Sequence, residues 1–144
     1  MQINKLFPDE IILKTKYFTV AQDWEVPISG FFIISPNRTV KSLMEFSTEE
    51  QAEFFSLIFQ FRLAMKEVLG IENVAIFQSE KTIGNFHLWL FPYHDWMNKF
   101  DVGVGGIEIM PIINYAKANL VNDETIKEVK ESVEKIKNWS KIQI

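Results

Sequence analysis

The alternation of hydrophobic and polar positions predicts several short β-strands in the first half of the chain. Residues 11–21 are rich in β-branched and aromatic side chains and predict one long strand or two short ones divided near Lys14 to Lys16. The continuous apolar run Phe31–Ser35, which a proline and an asparagine end, predicts a strand buried on both faces or packed under a helix, and therefore a central strand. A further strand is predicted over Asn73–Ser79.

A long amphipathic helix is predicted between these strands, over Thr48–Leu69. Residues Ser47 and Glu50 have the spacing of a capping box, and Gly70 is placed for a left-handed C-terminal cap. Apolar residues recur every three or four positions and form one stripe: Phe54, Ile58, Phe61, Met65 and Val68. We therefore expect this helix to cover one face of a sheet.

The segment Asn85–Phe91 alternates with the period of a strand. One face of it is apolar and carries Phe86, Leu88 and Leu90, which we expect beneath the helix. The other face carries Asn85, His87 and Trp89. A histidine between an amide and an indole is an unusual choice for a merely solvated surface.

The chain changes character after residue 100. Three glycines within residues 103–106 predict a flexible joint, and the apolar run that follows is broken by Pro111. A final amphipathic helix is predicted from Asn122 or Asp123, with a stripe of Ile126, Val129, Val133 and Ile136. Its charges of both signs favour packing on the body of the protein or on a second subunit over a membrane surface.

Together these elements predict an α+β protein in which an antiparallel sheet of about five strands is covered by one long helix, with a C-terminal helix in addition. We interpret residues 1–144 as a single domain, with a core over about 11–100 and a Gly-rich joint and helical extension over 101–144.

Composition narrows the classes of function. The 144 residues are 47% hydrophobic and 24% charged, which is typical of one compact domain, and no cysteine is present for disulfides, thiolate metal sites or a thiol nucleophile. Fifteen basic residues stand against 19 acidic ones, with no basic cluster, so nucleic-acid binding is not expected. No segment has the length of a membrane span or the pattern of a secretory leader, so we expect a cytoplasmic protein with no membrane partner.

The two histidines, His87 and His94, are the only imidazoles available for acid–base or nucleophilic chemistry near neutral pH. A polar loop that contains Ser79, Lys81, Thr82 and Gly84 precedes His87. It offers hydroxyl, ammonium and backbone donors to an anion, or is simply a solvated turn. His94 is either a surface residue of a turn or a proton donor to a leaving group. The two histidines are seven positions apart, with Asp95 and Asp101 nearby; this is not a compact ligand spacing, so no metal centre is expected.

The segment Asn85-Phe86-His87-Leu88-Trp89-Leu90-Phe91-Pro92 resembles the signature of the histidine triad superfamily, His-φ-His-φ-His-φ-φ-Pro, where φ is apolar. The order of predicted elements over Ile11–Phe100 is similar to that family as well. By this resemblance the chain is a divergent member, with a degenerate triad in which only the middle histidine is kept.

The resemblance implies a HIT-like fold and a nucleotide-binding protein. The implied activity is nucleotidyl hydrolysis or transfer on nucleoside phosphate esters, phosphoramidates or dinucleoside polyphosphates, with no cofactor. The implied catalytic residues are His87, Asn85 and Trp89, and the implied substrate-binding residues are Asp23, Gln78, Lys81 and Thr82.

In the mechanism that the resemblance implies, His87 attacks the α-phosphorus and forms a nucleotidyl-histidine, a phosphohistidine-type intermediate. The backbone carbonyl of Trp89 is expected to hold the other ring nitrogen. The alternatives are a non-catalytic module that binds a nucleotide or another phosphorylated metabolite, and an interaction protein without a pocket. A homodimer is a further expectation.

Overall fold

The computed structural model describes residues 5–100 and 108–143. Its strands and helices are, in chain order, β1 (Ile11–Lys14), β2 (Phe18–Gln22), β3 (Phe32–Pro36), α1 (Thr48–Leu69), β4 (Val74–Phe77), β5 (Leu88–Pro92), α2 (Ile109–Asn119) and α3 (Asp123–Gln143). The five strands form one antiparallel sheet in the order β1-β2-β3-β5-β4. The predicted α+β class, with five antiparallel strands, a long helix and a C-terminal helix, is confirmed.

The helix α1 has the predicted bounds because both of its ends are capped by the expected residues. The Ser47 hydroxyl accepts a hydrogen bond from the Glu50 N–H at 3.1 Å, and the Glu50 carboxylate accepts one from the Ser47 N–H at 2.9 Å. Gly70 ends the helix with φ +68°, a left-handed conformation that side chains with a Cβ disfavour.

The face of the sheet beneath α1 is an aromatic core. Phe86 and Leu90 are fully buried there, as the alternation predicts. The ring of Phe54 on α1 lies 5.4 Å from that of Phe18 on β2 and 5.7 Å from that of Phe86. Each such pair adds about 0.5–1.5 kcal/mol beyond the burial of its area, which fixes α1 across the centre of the sheet.

The C-terminal helix α3 packs on the body of the protein, against α1 and β1. Val133 and Ile136 from its predicted stripe join the cluster beneath α1. Asn122 is the N-terminal cap, since its side-chain oxygen accepts from the Thr125 N–H at 2.9 Å.

The helix α2 was not predicted from the sequence, and the interpretation of its first residues as a broken apolar run is wrong. Pro111 is the third residue of this helix, where a missing N–H costs nothing because the first-turn donors have no partner in the helix. Ile112 and Ala116 are buried in a second apolar cluster with Phe31 and Phe91, on the face of the sheet opposite α1. The predicted Gly-rich joint lies outside the described residues.

The N-terminal strand region consists of two short strands rather than one long one. Strand β5 begins at Leu88, so Asn85, Phe86 and His87 precede it. Within the sheet, Trp89 pairs with Ile33 of β3 on one side and with Phe77 of β4 on the other.

Candidate functional site

His87 sits at the entry to β5, on the face of the sheet opposite α1. Its neighbours Phe86 and Leu88 are buried beneath α1, which turns the imidazole to the other side, where it is half-buried. The ring nitrogen Nδ1 lies 3.0 Å from the carbonyl oxygen of Asn85. A carbonyl only accepts, so Nδ1 carries the proton, and in the neutral ring Nε2 keeps its lone pair. Among the described residues no group is hydrogen-bonded to Nε2.

This contact corrects the expected partner of the ring. The sequence interpretation gave the role to the carbonyl of Trp89, whereas the carbonyl of Asn85 fills it. The consequence for the tautomer is the same, because either carbonyl would hold the proton on Nδ1.

The side chain of Asn85 fastens the entry of β5 to the segment that follows β3. Its Oδ1 accepts from the Val40 N–H at 2.6 Å, and its Nδ2 donates to the Arg38 carbonyl at 3.0 Å. In addition the Phe86 N–H donates to the Val40 carbonyl at 2.8 Å. The Asn85 side chain therefore holds the backbone beside His87 in place. A direct catalytic role for its amide stays a prediction.

A cavity of about 430 Å³ opens beside His87. It brings together four of the residues that the sequence singled out, and its full lining is Asp23, Trp24, Glu25, Ile33, Ser35, Ile83, Gly84, Asn85, Phe86, His87 and Trp89. Gln78, Lys81 and Thr82 are not among the lining residues. The volume is within the range of small-molecule sites.

Asp23 stands in the cavity wall, with 7% of its surface exposed. Its Oδ1 accepts from the N–H groups of Glu25 and Val26 at 2.9 and 2.8 Å, while Oδ2 has no hydrogen-bond partner in the described part of the chain. Burial raises the pKa of this carboxyl, and the two N–H groups act in the opposite direction. Oδ2 is thus available to accept hydrogen bonds from a ligand.

Trp89 forms an aromatic wall of the cavity. Its ring centroid lies 5.3 Å from that of Phe31 and 5.6 Å from that of Phe77, with the His87 ring at 6.3 Å. The indole is wedged between these neighbours and leaves the cavity beside His87 open.

The loop before His87 is less closely tied to the cavity than the sequence interpretation supposed. Lys81 is exposed, and its N–H donates to the Ser79 hydroxyl at 3.2 Å. The Nε2 of Gln78 is buried with no hydrogen-bond partner among the described residues. Binding roles for Gln78, Lys81 and Thr82 stay predictions.

Seven lining residues were not among the predicted site residues: Trp24, Glu25, Ile33, Ser35, Ile83, Gly84 and Phe86. Ser35 and Ile33 alternate along β3 and so face the same side of the sheet, a signal that the continuous apolar run concealed. Trp24 was detectable as the neighbour of Asp23. It is 41% exposed and, like Ile33 and Ser35, lines both this cavity and a second one of about 380 Å³ over β1–β3.

His94 belongs to a different region. Its Nε2 lies 2.6 Å from the Ser29 carbonyl, and its side chain lines a separate polar cavity of about 310 Å³ with Glu72, Asn73 and Asp95. This placement gives no support to His94 as a proton donor beside His87. Over residues 5–100 and 108–143, no group of three or more histidine or acidic side chains is arranged to hold a metal ion. In the same residues, no helix combines the length and apolar character needed to cross a bilayer.

Comparison with solved structures places this architecture among known folds. A Hit-like protein from Bartonella henselae matches with a TM-score of 0.61 at 14% identity, over 94% of this chain and 95% of that one. The diadenosine triphosphate hydrolase of Plasmodium falciparum matches with a TM-score of 0.59 at 14% identity, over 99% of this chain and 81% of that one. The chain has the histidine triad fold.

One of the matching solved structures is a longer protein that contains this fold as a part. The NitFhit protein of C. elegans matches with a TM-score of 0.58 at 15% identity, over 87% of this chain but 27% of that one. No family model matches the sequence, and no curated protein does. The likeness is therefore one of fold at low identity, as expected for a divergent sequence whose signature keeps one histidine.

Proposed function

We propose that this chain binds nucleotides in the cavity beside His87 and that His87 transfers the nucleotidyl group. The observation that carries the proposal is the imidazole itself: Nδ1 is held by the Asn85 carbonyl at 3.0 Å, and the ring lines a cavity whose wall includes the carboxylate of Asp23. Support comes from the fold, which is shared with a diadenosine triphosphate hydrolase. The substrates we propose are nucleoside phosphate esters, phosphoramidates and dinucleoside polyphosphates.

Asp23 is the proposed ribose-binding residue. Its Oδ2 accepts from the ribose hydroxyls while Oδ1 stays on the two backbone N–H groups that hold the side chain in place. The base then lies against the exposed ring of Trp24 and reaches into the neighbouring cavity, since a π-face stacks on any base.

The proposed reaction has two steps. The Nε2 lone pair attacks the α-phosphorus, a P–N bond forms, and the bond from phosphorus to the leaving group breaks with its electron pair going to the leaving group. The ring is then cationic, and the Asn85 carbonyl stabilises it through the proton on Nδ1. Water attacks the same phosphorus, the P–N bond breaks, and nucleoside monophosphate and a proton are released. Backbone N–H groups of the loop, with Thr82 and Lys81, are the proposed ligands of the phosphate oxygens.

A non-catalytic nucleotide-binding module is the second candidate, and Trp89 is the observation that favours it. An indole donates a hydrogen bond but transfers no proton near neutral pH, and no second histidine lines the cavity in the described part of the chain. A leaving group that needs a proton would then depart slowly or not at all.

Three further expectations form part of the proposal. The chain acts as one domain, because buried residues of α2 and α3 belong to the same two apolar clusters as the sheet. It acts in the cytoplasm. It also forms a homodimer, for which β4 is the proposed edge: β4 pairs with β5 alone among the described residues, and a second copy always offers the same edge.

The two candidate functions separate in a pair of measurements. Thermal unfolding with the four nucleoside monophosphates tests for the pocket, since a ligand at 100 times its dissociation constant adds about 2.7 kcal/mol to the free energy of unfolding. Chromatography of products from diadenosine triphosphate and adenosine phosphoramidate tests for turnover. We expect stabilisation and turnover in the wild type, with turnover reduced on the order of a thousandfold in His87→Ala.

The matched control is His94→Gln, which alters the other imidazole, in a separate cavity. It is expected to keep wild-type turnover. Stabilisation without turnover would establish the binding module instead. If nucleotides caused no stabilisation and no turnover were detected, the proposed function would be overturned.

A further inference from the structure

The cavity beside His87 is lined by acidic side chains, although the ligand proposed to occupy it is also negatively charged. Its ionisable lining residues other than the histidine are Asp23 and Glu25, and no lysine or arginine lines it in the described part of the chain. A phosphoryl group placed at His87 brings further negative charge. A cation close to the part of the lining formed by residues 84–87, called here the imidazole end of the cavity, would offset this charge and favour binding.

Lys41 lies at that end. Its Nζ donates a hydrogen bond to the carbonyl of Gly84, which lines the cavity next to Asn85. An ammonium has three donors, so two are left for a ligand. Among the described residues Lys41 forms no ion pair with a carboxylate, and its side chain is exposed.

The backbone before Lys41 is fixed to the entry of β5 from both sides. The Val40 N–H donates to the Asn85 side chain at 2.6 Å, and the Val40 carbonyl accepts from the Phe86 N–H at 2.8 Å. The Lys41 N–H is itself bonded to the Glu45 carboxylate at 2.8 Å. These bonds fix the backbone at Lys41 beside the segment that leads into His87, and the bond from Nζ to the Gly84 carbonyl directs the ammonium toward the cavity lining.

Two other lysines are near the cavity in sequence or space, and both are less well placed. Lys117 contacts the lining residue Glu25, but that carboxylate neutralises it at 3.2 Å. Lys81 is exposed on the loop, and no hydrogen bond of its ammonium is present among the described residues.

We propose that Lys41, fixed at the imidazole end of the cavity, is the cation that binds the phosphoryl group presented to His87. This inference rests on the proposed nucleotide-binding function and names a residue that the sequence analysis did not consider. It moves the principal phosphate-binding charge from the loop before His87 to the segment after β3.

The test compares nucleotides with the matching uncharged nucleosides. The four nucleoside 5′-monophosphates and their nucleosides are titrated into wild type, Lys41→Met, Lys41→Arg, Lys81→Met and, as the matched control, Lys130→Met on the exposed side of α3. We expect Lys41→Met to bind monophosphate at least about tenfold more weakly and to bind nucleoside as the wild type does. Lys41→Arg restores most of the affinity, and Lys130→Met leaves both affinities unchanged.

Salt gives a second readout that a merely structural role would not move. The affinity of the wild type for monophosphate should fall as potassium chloride is raised, and that of Lys41→Met should fall less steeply. Equal loss of nucleoside binding would show that Lys41→Met has damaged the fold of the site and would overturn the inference. Normal monophosphate binding by Lys41→Met, or a tenfold loss in Lys81→Met alone, would overturn it too. If the wild type bound no monophosphate, the proposed function would fail and this inference with it.

Discussion

Asp23 is an acid buried in the wall of a cavity, and its charge has a cost for the folded chain. Burial raises the pKa of its carboxyl, against the opposing effect of the N–H groups of Glu25 and Val26. Because the pKa of Asp23 is higher in the folded chain than in the unfolded one, the free energy of unfolding falls as the pH rises from the unfolded-state pKa to the folded-state pKa. We propose that this buried carboxyl is kept because it binds the ribose, as its place in the cavity wall allows.

We expect Asp23→Asn to stabilise the protein at neutral pH and to weaken nucleotide binding about tenfold. The amide oxygen can still accept from both N–H groups, while no charge remains to be desolvated and a weaker acceptor is left for the ribose hydroxyls. Urea unfolding and nucleotide titration measure the two effects. A lower unfolding midpoint, or unchanged affinity, would contradict the role given to this residue.

The resemblance singled out His87 and Asp23, which both line the cavity, but the sequence did not reveal the contact that holds the ring. Alternation along a strand tells on which face the imidazole lies, and that prediction holds. It does not tell which of two nearby carbonyls is free. Trp89 lies within β5, which is paired on both sides, whereas Asn85 precedes the strand and its carbonyl remains available to the ring.

At the level of elements, the segment after β3 is joined to the start of α1 by an ion pair. Arg38 donates from Nε and Nη2 to the two oxygens of Glu50, each at 2.9 Å, and from Nη2 to the Glu45 carbonyl at 2.7 Å. Arg38 and the Ser47 N–H together lower the pKa of Glu50 from 4.5 to about 2. The same segment continues into Val40, whose N–H donates to the lining residue Asn85, so the position of α1 is linked to the wall of the cavity.

The pH dependence of stability should expose this ion pair. The lowered pKa of Glu50 means that its contribution is complete above about pH 4.5 and is lost as pH falls toward about 2. We expect Glu50→Gln to lower the free energy of unfolding by about 1–2 kcal/mol at neutral pH, with the difference from wild type vanishing near pH 2.

Urea unfolding over a series of pH values measures this difference, and Glu49→Gln is the matched control. Glu49 is the exposed neighbour in the same first turn, so its substitution should have a small effect. A gap for Glu50→Gln that persists at pH 2 would show that the ion pair is not the cause.

The bounds of α1 were predictable because its caps and its apolar stripe agree. Helix α2 was missed because its apolar spacing and its proline point to different structures. In α2, Ile112 and Ala116 have helical spacing, but Pro111 next to them reads as a helix breaker, although a proline in the first turn of a helix breaks nothing. The order of the strands in the sheet depends on contacts between distant segments, which periodicity does not encode.

At the scale of the whole molecule, large apolar side chains are exposed both on α1 and on the edge strand β4 in the described part of the chain. Phe55, Phe59 and Leu63 recur every four residues on the outer side of α1 and are exposed, Phe59 by 75%. Ile76 on β4 is exposed too, and it faces the same side of the sheet as α1. We propose that a second copy pairs its β4 with this one and that the exposed side chains of α1 take part in the same contact.

We expect the wild type to be a dimer in solution and Phe59→Glu to be a monomer. A carboxylate in the apolar contact would have to be desolvated without a partner. Light scattering after size-exclusion chromatography measures the mass, and Met44→Glu, which alters another exposed apolar residue outside this surface, should remain dimeric. A monomeric wild type, or a dimeric Phe59→Glu, would rule out this interface.

The central claim is that Nε2 of His87 forms a bond to phosphorus, and intact-mass spectrometry tests it most directly. The wild type is mixed briefly with diadenosine triphosphate or adenosine phosphoramidate and denatured at neutral or alkaline pH, which preserves a phosphorus–nitrogen bond. The account predicts a mass increase of one adenylyl group, which peptide fragmentation assigns to His87 and which His87→Ala lacks. Adenosine monophosphate released at the same rate by His87→Ala, or an adduct on another residue, would contradict it.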